Sequence, residues 1–108
     1  MPDKSNDSPI EPKFDETIHA PVRLRICGML DAYDKLRFDA LRDTLDVSDA
    51  VCSKHLKTLA DHGYVTLSKK AERGSGKGYK VTWASFTDAG RAAFQAHVAA
   101  LKQIVAGG

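Results

Sequence analysis

Between Ser48 and Trp83 the hydrophobic period changes once, from helical to alternating, and Gly63 stands at the change. Cys52, Leu56 and Leu59 recur at spacings of four and three residues, the stripe of an amphipathic helix. Ser48 is a good N-cap for that helix, and Asp49 suits its first turn, where the dipole favours negative charge. Gly63 ends it as a left-handed C′ residue. Tyr64 to Ser68 then alternates as a strand, and Lys69 to Gly78 is a polar, glycine-rich hairpin tip. Tyr79, Val81 and Trp83 alternate again as the return strand. A helix feeding straight into such a hairpin leaves few folds open to a short chain.

The flanking pattern narrows them further. Met1 to Pro12 holds three prolines and little to bury, so residues 1–12 read as a disordered tail. Phe14 and Ile18 lie one helical turn apart, and Pro21 ends that short helix and begins the next. Val22, Ile26, Met29, Leu30 and Tyr33 form the stripe of the second helix. Leu36 and Phe38 alternate with Lys35 and Arg37 as a short strand. Ala40, Leu41 and Leu45 return to helical spacing, closed by Val47. Thr87 caps a last helix through Phe94, Val98, Leu101 and Val105, about 87–106. With 108 residues there is room for one domain, 13–108. The expected class is α+β and mostly helical, a winged helix-turn-helix with N- and C-terminal dimerisation helices.

Charge is distributed unevenly. Residues 1–20 carry two Lys and five Asp or Glu, whereas residues 54–80 carry seven Lys or Arg against Asp61 and Glu72. A local basic stretch suits a polyanion. The 48–62 helix turns at about 100° per residue, so Cys52, Leu56 and Leu59 fall within about 60° of arc. Lys54, Lys57, Ala50 and Thr58 lie roughly 140° to 240° from Cys52, with Ser53 at the flank. That face is short, basic and hydrogen-bonding, as entry into a major groove requires.

Val47 to Val65 resembles the recognition helix of the MarR- and ArsR-like bacterial regulators, where a polar cap precedes S-[RK]-H-L-x-x-L and a G-[LY]-[VI] exit leads into the wing. The similarity extends to His19–Ile26 before it and Phe86–Arg91 after the wing. The resemblance implies a minimal winged helix that binds double-stranded DNA and regulates transcription, as a repressor; the two cysteines in apolar patterns and the polar N-terminus suit a reducing, cytoplasmic setting. The resemblance places Ala50, Ser53, Lys54, Lys57 and Thr58 toward DNA, and Lys69, Lys70, Arg73, Lys77 and Lys80 on the wing. One departure is Val81, standing where such wings often carry an Arg. Arg23, Arg25 and Arg91 suit phosphate contacts or partners within the chain equally.

Phe94, Val98, Leu101 and Val105 repeat at 4-3-4 spacing, the seam of a helix that packs on another. That helix could fold back on its own domain; the family resemblance implies instead that it pairs with a second copy, with Phe14 and Ile18 completing the expected homodimer interface. A twofold dimer predicts a pseudo-palindromic operator with half-sites one helical turn apart.

Other functions fit less well. No apolar run approaches the ~20 residues a membrane helix needs, so no membrane partner is expected. Cys27 and Cys52 sit in apolar stripes, and with His55, His62 and His97 they lack metal-ligand spacing, so no metal or cofactor is expected. Gly74 to Gly78 lacks the order of a phosphate loop and precedes a strand, and no nucleophile or carboxylate pair marks an enzyme. Tyr64, Tyr79 and Trp83 are too few for RNA stacking. The remaining alternative is a winged helix used for protein–protein contact, which would expose apolar residues where this helix exposes Lys.

Overall fold

Asp15 starts the first helix by accepting the amide of Ile18 on its carboxylate, and α1, Glu16–His19, is a single turn. Phe14 precedes this helix instead of lying on it. Pro21 occupies the first turn of α2, Pro21–Tyr33, where its missing N–H costs nothing. There follow β1, Lys35–Arg37; α3, Phe38–Leu45; α4, Asp49–Asp61; β2, Val65–Ala71; β3, Lys80–Phe86; and α5, Asp88–Val105. The structure is a computed structural model and describes residues 10–71 and 80–107.

β3 lies between β1 and β2, antiparallel to both. Lys35 pairs with Ser85 at one edge, and Val65 with Phe86 at the other. The expected hairpin tip begins too early: β2 runs on through Lys69 and Lys70 to Ala71, which pairs with Lys80. Both lysines are ladder residues, because continued pairing to β3 satisfies their backbone groups. Arg73, Lys77, the tip glycines and Tyr79 lie outside the described residues, as do residues 1–9 of the expected tail.

The helices and one face of the sheet enclose a core in which Ile26, Leu30, Leu41, Leu56 and Leu59 are almost wholly buried. Each such side chain contributes roughly 1.5–3 kcal/mol by leaving water. Ile18 belongs to this core, at 0% exposure. The expectation that it helps pair two chains is therefore corrected: it has no surface left to offer. Tyr33, expected in the α2 stripe, is 69% exposed, since it is the last residue of α2 and Leu30 already closes the core there. Ala40 is exposed as well.

Two glycines are required by geometry. Gly63 has φ +77°, and after it the Tyr64 amide bonds back to Leu59 O while its own amide reaches Ala60 O, which closes α4 with a left-handed residue. Gly90 brings α5 against the chain leaving α4: a Cβ there would sit 2.1 Å from Tyr64 O and 2.9 Å from the Phe86 ring.

Candidate nucleic-acid interface

The turn between α3 and α4 is held at every residue. Asp46 closes α3 in the left-handed region at φ 57°, where its short polar side chain is tolerated, and its amide bonds to Arg42 O and Asp43 O. Val47 tucks beneath, with its amide on Arg42 O. Ser48 then accepts the Val51 amide on Oγ and starts α4. Arg42 spans the junction, donating to Asp43 at 2.9 Å and to Asp49 in the first turn of α4 at 2.8 Å. Those two carboxylates raise the pKa of the Arg42 guanidinium.

On α4 the expected faces are observed. Cys52, Leu56 and Leu59 face the core, while Ala50, Ser53, Lys54 and Lys57 are exposed. Thr58 is half-buried, and its hydroxyl donates to Lys54 O, so it is committed to its own helix. Lys57 Nζ lies 3.3 Å from Asp61 one turn on, an exposed pair that another anion can displace at little cost. Val51, which sequence reasoning passed over, is 38% exposed beside this face.

The wing lysines divide between the two faces of the hairpin. Lys69 pairs with Thr82 and Ala71 with Lys80, so by alternation Lys69 and Lys80 share the face turned toward α4. Lys70 pairs with Val81 and takes the other face. Ser53, Leu56, Phe38, Leu67, Lys69 and Thr82 line an open groove of about 320 Å³ between α4 and the wing. Ser53 and Lys69 are thus brought together across it. Val81 is almost buried and cannot take the part of a reaching arginine. On the opposite sheet face Lys35 Nζ sits 5.1 Å from the Trp83 ring centroid.

The three arginines left open by the sequence are engaged within the chain. Arg91 donates to Asp31 O and Oδ1 and to Asp34 Oδ1. Arg23 donates through Nε to Thr17 O and meets His55 Nδ1 at 3.0 Å. Arg25 reaches Thr44 O at 3.4 Å. Burial pushes the Cys27 thiol up to about 12 and raises Cys52 as well, so both are inert core thiols. Among the described residues no three His, Cys, Asp or Glu side chains are placed to hold a metal ion, and no helix is long and apolar enough to cross a membrane.

Along α5 the expected seam is partly exposed. Phe94 turns inward, with its ring 6.3 Å from that of Phe86, and Val98 and Leu101 are half-buried. Val105 is 86% and Ile104 61% exposed; Ile104 falls outside the 4-3-4 pattern. Phe14, 41% exposed, packs against His19 and His97.

Residues 22–105 match the family described as Winged helix DNA-binding domain. An uncharacterized protein of Methanocaldococcus jannaschii is 29% identical over 83 residues, 77% of this chain and 86% of that protein. The transcriptional regulator homologue protein from Pyrococcus horikoshii superposes with a TM-score of 0.78 at 24% identity, over 86% of this chain and 88% of that one. A variant of ZitR from Lactococcus lactis, solved in complex with DNA, superposes with a TM-score of 0.53 at 19% identity, over 93% of this chain and 65% of that one.

Proposed function

The chain belongs to the winged helix DNA-binding domain family, and from that premise we propose that it binds double-stranded DNA as a homodimer and represses transcription. The observation that carries this reading is the exposed face of α4, where Ala50, Ser53, Lys54 and Lys57 stand opposite the core stripe. A capped helix whose outer side is small and basic fits a major groove about 12 Å wide, with its lysines toward phosphates. Lys69 and Lys80 share its side of the wing, so both elements meet one stretch of duplex, and Lys70, with Arg73 and Lys77 in the sequence that follows it, adds positive charge. The solved DNA complex of the ZitR variant supports DNA as the partner of this fold.

The dimer rests on α5. Val98, Leu101, Ile104 and Val105 leave an apolar strip on a helix already anchored to its own domain, with Phe14 and Phe94 near its start. A second copy covers that strip by twofold symmetry and sets two α4 helices on a pseudo-palindrome. A dimer seated across a promoter excludes polymerase, which is the repressor reading. Domain limits follow: 13–108 as the folded unit, α5 included.

The test is the salt dependence of binding to random duplex DNA. Each phosphate contact contributes about 0.9 to the log–log slope, so Lys54→Ala/Lys57→Ala lowers it by roughly 2 per protomer. An unchanged slope removes those lysines from the interface. If wild type does not bind at low salt, the DNA reading falls and a protein partner replaces it.

A further inference from the structure

The chain holds four histidines: His19 ends the segment Phe14–His19, His97 and His62 bond to that segment directly, and His55 reaches it through Arg23. His97 of α5 is 0% exposed; its Nδ1 accepts the Asp15 amide at 2.9 Å, and its Nε2 lies 3.1 Å from Nδ1 of His19. His55 of α4 meets Arg23, whose Nε is on Thr17 O. His62, following α4, meets the Thr17 hydroxyl at 3.2 Å. The Lys13 amide adds a bond to Ala96 O of α5.

Hydrogen-bond roles assign the tautomers. A backbone amide only donates, so Nδ1 of His97 is unprotonated and its proton sits on Nε2, pointing at His19. A guanidinium also only donates, so Nδ1 of His55 is unprotonated too. A second proton on either ring must go onto the nitrogen that is accepting, and it breaks that bond. His62 differs: its Nδ1 faces the Thr58 carbonyl, which only accepts, so Nδ1 carries a proton and Nε2 faces the Thr17 hydroxyl.

We infer that Phe14–His19 is a pH-sensitive clasp between α4 and α5, closed while His97 and His55 are neutral, opened when His97 takes a proton and loosened through Arg23 when His55 does. The titratable and charged groups facing His97 are Asp15 and His19, with Tyr64 bonded to Asp15 and Cys27 of α2 within reach of Asp15's charge. Those facing His55 are Arg23 and Lys54. Burial and His19 hold His97 below the usual imidazole range against the opposing pull of Asp15; burial, Arg23 and Lys54 do the same for His55. The sign follows: a folded-state value below the released one means that closure is lost as pH falls below about 6.5.

The experiment is ¹⁵N NMR of the free protein, without DNA, so its outcome is separate from that of the DNA reading. At about pH 7.5 the Nδ1 atoms of His97 and His55 show unprotonated shifts, and the Lys13 and Asp15 amides are protected. Near pH 5.5 their protection, corrected for intrinsic exchange, falls, by up to about tenfold per histidine released. In His97→Asn an amide oxygen replaces Nδ1 without titrating, so the part of that loss due to His97 disappears. A protonated His97 Nδ1 at neutral pH, constant protection in wild type, or the full loss in His97→Asn overturns the proposal. Should the variant not fold, the wild-type measurements decide alone.

Discussion

Replacing Ile18 by Ala separates a core role from an interface role. Ile18 is 0% exposed and packs within the same cluster as Ile26, Cys27 and Leu56. Truncation removes three carbons and leaves a cavity walled by α2 and α4, which other side chains already hold in place. Buried Ile→Ala changes cost about 2–5 kcal/mol, and about 3 kcal/mol is expected here because α1 is one turn long and can settle inward a little. For a domain of this size that lowers the midpoint of thermal unfolding by roughly 12–24 °C. The assay is urea unfolding at several protein concentrations, beside sedimentation of the folded variant. The expected result is a lower midpoint with unchanged association. A loss below about 1 kcal/mol, together with weakened self-association, refutes the placement of Ile18 inside its own chain.

Gly90→Ala drives a methyl into Tyr64 O and Phe86, so α5 must shift, and a loss of about 1–3 kcal/mol is expected in the same unfolding assay. Tyr64→Phe removes the 2.6 Å bond from the Tyr64 hydroxyl to Asp15 and costs about 1 kcal/mol at neutral pH. Burial raises the Asp15 carboxyl, but hydrogen bonds from Tyr64, Ile18 and Thr17 outweigh it and hold the value low, so this stabilisation is lost as pH falls through the folded-state value. The gap between wild type and Tyr64→Phe therefore closes in acid, as paired urea curves will show.

The features legible in the sequence were those set by local chemistry. The Ser48 cap, the Gly63 terminus, the Thr87 cap and the Cys52–Leu56–Leu59 stripe each depend on residues within a turn or two, and each stands where the pattern put it. Features set by contacts across the chain were hidden. Ile18 reads as a surface helix residue because nothing local says that α2 and α4 close over it. Lys69 and Lys70 read as loop because β-pairing overrides a polar run when the partner strand is in register. His97 reads as a lone histidine on an apolar helix, and its partners come from a segment 78 and 82 residues away. The placement of Lys54 and Lys57 was readable from helix angle alone. The inward commitment of Thr58 and the engagement of Arg23, Arg25 and Arg91 were not.

The two helices given separate tasks here share one joint. Thr87 accepts the Gly90 amide to start α5, while its hydroxyl donates to Gly63 O at 2.7 Å, and its amide reaches Tyr64 O. Gly63 and Tyr64 are the residues that terminate α4. The chain leaving α4, the helix proposed to meet DNA, is thus bonded to the first turn of α5, the helix proposed to pair with a second copy, with Gly90 allowing the backbones to touch. At the other end of α4, Arg42 and Asp49 tie it to α3. With backbone bonds at one end and an exposed ion pair at the other, α4 is held at one angle relative to its own domain. The separation of two recognition helices in a dimer then depends on how α5 packs against its twin. Under the proposed dimer, spacing discrimination would follow from α5 packing, and base discrimination from the exposed face of α4.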